Sequence, residues 1–343
     1  MPESLRTGAD LVRASQEFAK EDRPLTWRLL VSTLAVVGIG QAVALAAPWW
    51  PVQLVGGLFA GLTLVRLFIF YHDHLHGAVL KDSRVGKAIM SVAGMLTLNP
   101  PAVWKETHDY HHRNNAKMPG TSIGSYPMMT VAMWRECTPS QRFWYRFARH
   151  PLTILTGYVT IFMLGMCLAA FKRDPKRHWQ GPLAIAIHFS LVALVAYFVG
   201  WVAAVSAVML PVATANTLGG YLFFAQHNFP DIVLADRRGW EFSQAAVKSS
   251  SMFEMSPLMH WFTGNIGYHH VHHLNHRIPF YRLPEAMAKM PELQNPGKTS
   301  WKPRDVIACL RLAVWDPEAH RMITWAEVLQ RPPESVAGAA TAR

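Results

Sequence analysis

Residues 268–276 read YHHVHHLNH. Five of the nine are histidines, and His269, His272 and His273 stand at i, i+3 and i+4, so a helix would carry all three imidazoles on one face. That is a metal-ligand spacing. Working outward, the pattern recurs twice. HDHLHG at 72–77 places His72 and His76 at i and i+4, and HDYHH at 108–112 sets His108 with His111 and His112. A catalytic zinc generally takes three protein ligands and a structural zinc four, so eight imidazoles point to two metals. Imidazole serves iron, zinc, copper and nickel alike, so ligand type alone does not choose among them. His74 points away from the His72/His76 face, and His270 lies about 100° off the His269 face, so both are expected to support the site rather than to ligate. His276, His260 and His320 are expected to be ordinary polar residues.

The rest of the chain explains where these boxes sit. Of 343 residues, 51% are apolar and 16% charged, and the apolar residues are gathered into blocks. Four blocks, 29–47, 52–71, 183–199 and 202–225, are long enough to cross about 30 Å of hydrocarbon at about 1.5 Å per residue. Residues 1–28 are polar and charged with no apolar core before a cleavage site, so no signal peptide is expected. The Pro48-Trp49-Trp50-Pro51 joint is uncharged and suits a turn at the far interface. The second block then returns to the cytoplasm and delivers the first box at its exit. Arg66, near the end of that block, is expected to snorkel to the interface. Residues 88–98 are apolar but too short to span, and should lie in the interface.

A fifth block, 152–171, is long enough to cross, yet crossing would put Lys172-Arg173-Asp174-Pro175-Lys176-Arg177 outside, against the positive-inside rule. It is expected to be interfacial or re-entrant. The chain therefore reads as an all-α integral membrane protein with four transmembrane helices plus interfacial or re-entrant helices, carrying a cytoplasmic helical cap that holds a histidine-rich dimetal site. Residues 1–28 form a cytoplasmic N-terminal segment, 29–331 the membrane domain, and 332–343 a disordered tail. His227 then sits at the cytoplasmic mouth of the last span, placed to complete one metal's sphere. Three dispersed cysteines, Cys137, Cys167 and Cys309, argue against a disulfide framework or a thiolate metal site. The net charge of +11 fits basic residues flanking membrane segments, and no nucleic-acid partner is expected.

The order and spacing HxxxH, HxxHH and HxxHH resembles the membrane fatty acid desaturase family. The resemblance extends through RLFIFYHDHLHG, through WKETH around the second box, through residues 145–151, and through LNHRIPFYRLPEA, which looks like the acyl-lipid branch that includes the Δ12 enzymes. It covers roughly residues 60–320. It implies two non-haem iron ions that activate O2 and remove hydrogen from unactivated methylenes of a long-chain fatty acyl lipid. Carried over residue by residue, the metal ligands are His72, His76, His108, His111, His112, His269, His272 and His273, commonly with one more from the region of His227, and there are no catalytic residues beyond them. Lacking the His-Pro-Gly-Gly motif of a cytochrome b5-like domain, the chain is expected to take electrons from a separate donor, ferredoxin-like or cytochrome b5-like. A bacterial inner (cytoplasmic) membrane with the site facing the cytoplasm is expected.

HDHLHG is also close to the form in carotenoid ketolases, which keeps open a hydroxylase or ketolase of a lipid or carotenoid. Two other classes fit less well. A zinc hydrolase would want a carboxylate base within a box, as in HExxH, and no box contains a Glu. A metal transporter would carry its ligands near the bilayer midplane rather than at the helix ends.

Overall fold

Four helices are long and apolar enough to cross a membrane: Arg23–Ala46, Trp50–Leu75, Gln180–Phe198 and Trp201–His227. They correspond one for one to the four blocks. The computed structural model describes residues 5–120 and 123–331, so the tail expected over 332–343 lies outside the described residues. The first helix starts earlier than its apolar block because Asp22 caps it: the Asp22 carboxylate accepts from the Leu25 backbone N–H at 2.9 Å, and Pro24 stands within the first turn. The second runs four residues past its apolar block, to Leu75. His72 therefore rides on a membrane helix rather than on a loop.

Without a hydrophobic force between helices in lipid, small residues decide how closely they pack. The second helix supplies them. A Cβ on Gly56 would stand 2.8 Å from the Ala44 backbone nitrogen, one on Gly57 2.1 Å from the Ser206 carbonyl oxygen, and one on Gly61 2.6 Å from Thr214. The Trp50–Leu75 helix is thus clamped on one side by the first span and on the other by the last. The last span itself winds as a wider π turn over Val205–Met209.

Arg66 departs from expectation. It does not snorkel: it is 5% exposed, its Nε donates to Thr33 Oγ1 at 3.1 Å, its Nη1 donates to the Trp261 carbonyl at 2.6 Å, and its guanidinium lies 4.7 Å from the Trp261 ring. The cap descends over this helix end and gives the charge polar partners that a lipid-facing site lacks. Arg66 so pins the cap to two spans.

The 152–171 block is a broken helical run, Pro151–Leu155, Tyr158–Ala169 and Ala170–Arg173, whose middle piece is of π type. It packs against the Gln180–Phe198 and Leu210–His227 helices. Arg84–Leu96 is a 13-residue helix capped by Ser83, as its length predicts. The cap is mainly helical and adds three two-stranded pairs: Lys117–Met118 with Ala235–Asp236, Met252–Glu254 with Lys298–Ser300, and the hairpin Leu312–Asp316 with Arg321–Thr324. The N-terminal segment is no free appendage. Asn275 Nδ2 donates to Ser15 Oγ at 2.9 Å and Arg6 pairs with Glu292 at 2.7 Å, so it covers the continuation of the third box.

Candidate metal centre

Each box is oriented by a different local device. The first is the last turn of the Trp50–Leu75 helix, where the His76 N–H still bonds the His72 carbonyl at 3.1 Å. The second lies on Pro101–Asn114, which begins with a proline at its first position, where no N–H is needed. Tyr71 O–H donates to the Asn99 carbonyl at 2.7 Å and so fixes that helix's start against the end of the second span. The third helix, His269–Leu274, has six residues and is far too short to persist alone. Its whole length is buried, and the Phe253 N–H holds the Gly267 carbonyl at 2.8 Å just before it.

The histidines meet in two buried groups. His72, His76, His108, His112 and His272 form one; His111, His227, His269 and His273 form the other, and within each group the ligand atoms lie within 4.8 Å of one another. All nine residues singled out in the sequence are present, His227 included. In the first group Nε2 atoms follow one another from His72 to His108, His112 and His272, at 3.1 Å each step. In the second they close a circuit: His111 to His227 3.0 Å, His227 to His269 2.8 Å, His269 to His273 3.1 Å, and His273 back to His111 3.3 Å.

Hydrogen bonding does not account for this convergence. A neutral imidazole has one donor and one acceptor. His72 Nδ1–H is committed to Asp73 Oδ1 at 2.8 Å and His227 Nδ1–H to the Ser249 carbonyl at 3.3 Å, which leaves bare lone pairs on both Nε2 atoms. The buried His76 Nε2 has no hydrogen-bond partner at all. A square with edges of about 3 Å has its centre about 2.1 Å from each corner, the length of a metal–imidazole bond. The donor set therefore fits metal ions, and the site is a metal site.

The protonation state agrees. Burial first, and then neighbouring imidazoles, hold His108, His112, His269, His272 and His273 well below the usual value of 6.5; burial and His227 do the same for His111. Neutral rings are what a metal requires. For a base whose folded pKa is depressed, both states are neutral above 6.5, and below it the unfolded chain takes up protons that the folded site refuses. Stability is therefore lost as pH falls. Metal-free protein is expected to melt progressively earlier below about pH 6.5, each histidine adding a slope approaching about 1.4 kcal/mol per pH unit. Melting curves in detergent, with and without a chelator, check this; flat melting between pH 7 and 5 in the metal-free form would contradict it.

Several residues carry the site without standing out in the sequence. Asp73 orients His72 and, through Oδ2, accepts the Phe280 N–H at 2.8 Å, tying the first box to the chain after the third. Trp104 stacks on His108 at 4.2 Å. Arg149, 5% exposed, donates to the Pro127 and Leu312 carbonyls and to the Asn228 side chain, bracing the end of the His227 helix. His276 lies 4.7 Å from the His76 ring and 5.2 Å from that of His112, closer than an ordinary polar residue would be, though outside both groups. His270 faces away, donating through Nε2 to the Leu293 carbonyl at 3.2 Å, and His74 donates to Val79 O. His260 and His320 stand apart from both groups.

A cavity of about 660 Å³ is lined by His72, His108 and His269, and so borders both groups. Its walls are chiefly apolar, with Val65, Phe68, Ile161, Phe162 and Phe223 among them, and the 152–171 block forms one side.

Comparison with known proteins agrees with this geometry. A fatty acid desaturase family model matches residues 48–304. The chain is 28% identical to a fatty acid desaturase of Bacillus subtilis (strain 168) over 79% of this chain and 78% of that protein. It is 24% identical to an sn-1 oleoyl-lipid 12-desaturase of Picosynechococcus sp. over 94% and 93%. An sn-1 acyl-lipid omega-3 desaturase (ferredoxin) of Nostoc sp. is 22% identical over 74% and 71%. With three histidine boxes gathered into buried metal-binding groups beside a mainly apolar cavity, in a chain with four membrane-length helices, the chain belongs to the fatty acid desaturase family.

Proposed function

We propose that this protein introduces a carbon–carbon double bond into a long-chain acyl group carried on a lipid, using O2 at a pair of irons. His72, His76, His108, His112 and His272 hold one iron; His111, His227, His269 and His273 hold the other. The single observation that carries the reading is the cavity: a mainly apolar space bordered by histidines of both groups suits a saturated chain. The bound irons supply the strong oxidant that an unactivated methylene demands. The chain's residues do the rest. The cavity walls hold the reacting methylenes beside the histidines and exclude water, and Asp73 fixes the ring orientation of His72. Overall, the two hydrogens removed from the acyl chain, together with two electrons and two protons from outside, reduce O2 to two waters.

The electrons come from a separate donor, ferredoxin-like by analogy with the name of the Nostoc relative, or cytochrome b5-like. The basic segments beside the spans support a metal site facing the cytoplasm from a bacterial inner membrane. The matched relatives are desaturases, so the oxygenase alternative is not favoured. Expression in a host of defined lipid composition, followed by mass analysis of acyl products, tests the reading: loss of two hydrogens is expected, and a gain of oxygen instead would overturn it.

A further inference from the structure

Three residues of the acyl cavity, Phe147, Thr153 and Thr160, also line a second cavity of about 780 Å³. The two spaces are neighbours across that shared wall. The second brings basic side chains: Arg142, Arg146 and His150 line it together with Trp134, Phe143 and Leu152. Its basic side chains come from one helix, Pro139–Arg149, and the residue after it, with a Thr138/Gln141 capping box at its start. That helix is split by face. Tyr145 and Arg149 are buried, whereas Phe143, Trp144 and Phe147 are exposed, and Leu152 and Leu155 continue the exposed apolar surface. Aromatic rings beside arginines are the composition of a membrane–water interface.

The two guanidinium groups are held but not neutralised. Arg142 Nε donates to the Trp134 carbonyl at 3.2 Å and its Nη2 to the Arg135 carbonyl at 2.7 Å. Arg146 lies 5.2 Å from the Trp134 ring and 4.6 Å from that of Trp325. Among the described residues neither forms an ion pair, although arginines elsewhere in the chain do, for example Arg321 with Glu327. Rings and carbonyls fix the direction of both charges while leaving N–H donors for an anion, and a guanidinium fits a phosphate in a bidentate way.

We infer that this second cavity is the head-group site, and that it takes the phosphodiester of a glycerophospholipid, whose acyl chain passes Phe147, Thr153 and Thr160 into the cavity beside the histidines. The inference rests on the acyl-lipid reading above and narrows it to phospholipid. An uncharged glycolipid would leave the two arginines without a counter-charge. A water-soluble acyl thioester would have no use for the exposed Phe143, Trp144 and Leu152 around the opening.

The test uses the full-length, metal-loaded protein and the variants Arg146→Gln and Arg146→Lys, with lipid-free melting equal to the parent as the check that each variant folds. The same acyl chain is presented on phosphatidylglycerol, on a monogalactosyl diacylglycerol and on coenzyme A. Expected are a rise of about tenfold or more in KM for phosphatidylglycerol in Arg146→Gln with kcat unchanged, a smaller rise in Arg146→Lys, which keeps the charge and loses the bidentate fork, and no change with the galactolipid. In parallel, phosphatidylglycerol micelles should raise the melting temperature of the parent protein and not of Arg146→Gln. An equal KM for phosphatidylglycerol in parent and variant, an equal loss with galactolipid, preference for the coenzyme A thioester, or the same melting shift with inorganic phosphate would each overturn the head-group assignment. Absence of a double bond on every carrier would instead overturn the desaturase reading, while the melting shift still decides the head-group site.

Discussion

Replacing His272 by alanine is expected to abolish desaturation while the protein remains in the membrane. Its Nε2 stands 3.1 Å from that of His112, and it is the one contribution of the third box to the five-histidine group. Metal content should fall from about two ions per chain to about one, and product by at least about 100-fold, more than for loss of a residue that only orients a ligand. Asp73→Asn gives the graded comparison. It leaves His72 in place and removes the carboxylate that fixes its tautomer, so metal affinity should drop by about 10- to 100-fold rather than vanish. His276→Ala, altered within ring-contact distance of His76 but outside both groups, should keep both ions and most of its product. Metal analysis of the purified variants beside lipid product analysis reads all three. Product from His272→Ala at the parent level, or two ions retained there, would remove the ligand assignment.

The boxes were legible in the sequence because helical spacing is written in residue order: i, i+3 and i+4 leave no other face for the three rings of 269, 272 and 273. The partition between ions was not. His111 and His112 are adjacent in sequence yet enter different groups, as do His272 and His273, because consecutive helical residues diverge by about 100° and each helix runs between the two centres. Which centre a ring serves depends on the crossing of helices that no local pattern encodes. The four spans were legible by length and apolarity, and their ends less so. Asp22 and Pro24 extend the first helix into a charged stretch, and the second continues through the histidines of the first box.

Arg66 shows the reverse failure. A charge near the end of an apolar block normally reaches for water, and only the three-dimensional return of Trp261 and its carbonyl shows that it is satisfied inside the protein. Asp73, Arg149 and Gln226 were missed because each acts alone. Asp73 did carry a signal, an acid directly beside a ligand histidine. Gln226, which donates to the Ile266 carbonyl at 2.8 Å, carried none beyond its place next to His227.

The second large effect is expected from a residue that touches no metal. On the last span, Ala215, Asn216, Gly219, Leu222, Phe223 and Gln226 fall at helical spacing and line the acyl cavity. Phe223 lies near the metal end of this stripe, 5.0 Å from the His111 ring and 5.1 Å from that of His227. Gly219 lies one turn before it on the same face, about 6 Å further along the helix axis. Nothing stands within 4 Å of the position its Cβ would take, so a side chain there has room to form and must occupy the channel. This separates it from Gly57, where any Cβ would strike the Ser206 backbone and disturb helix packing instead. Gly219→Phe should therefore fold, retain about two ions per chain, and lose desaturation of long acyl chains by about 100-fold or more, because a chain that cannot extend past residue 219 cannot place its methylenes beside the histidines. Gly219→Ala, which adds a single methyl, should cost far less. Metal content and thermal melting equal to the parent, together with loss of long-chain product, would show that the channel is the acyl path. Full activity in Gly219→Phe would mean that the acyl chain reaches the metals by another route.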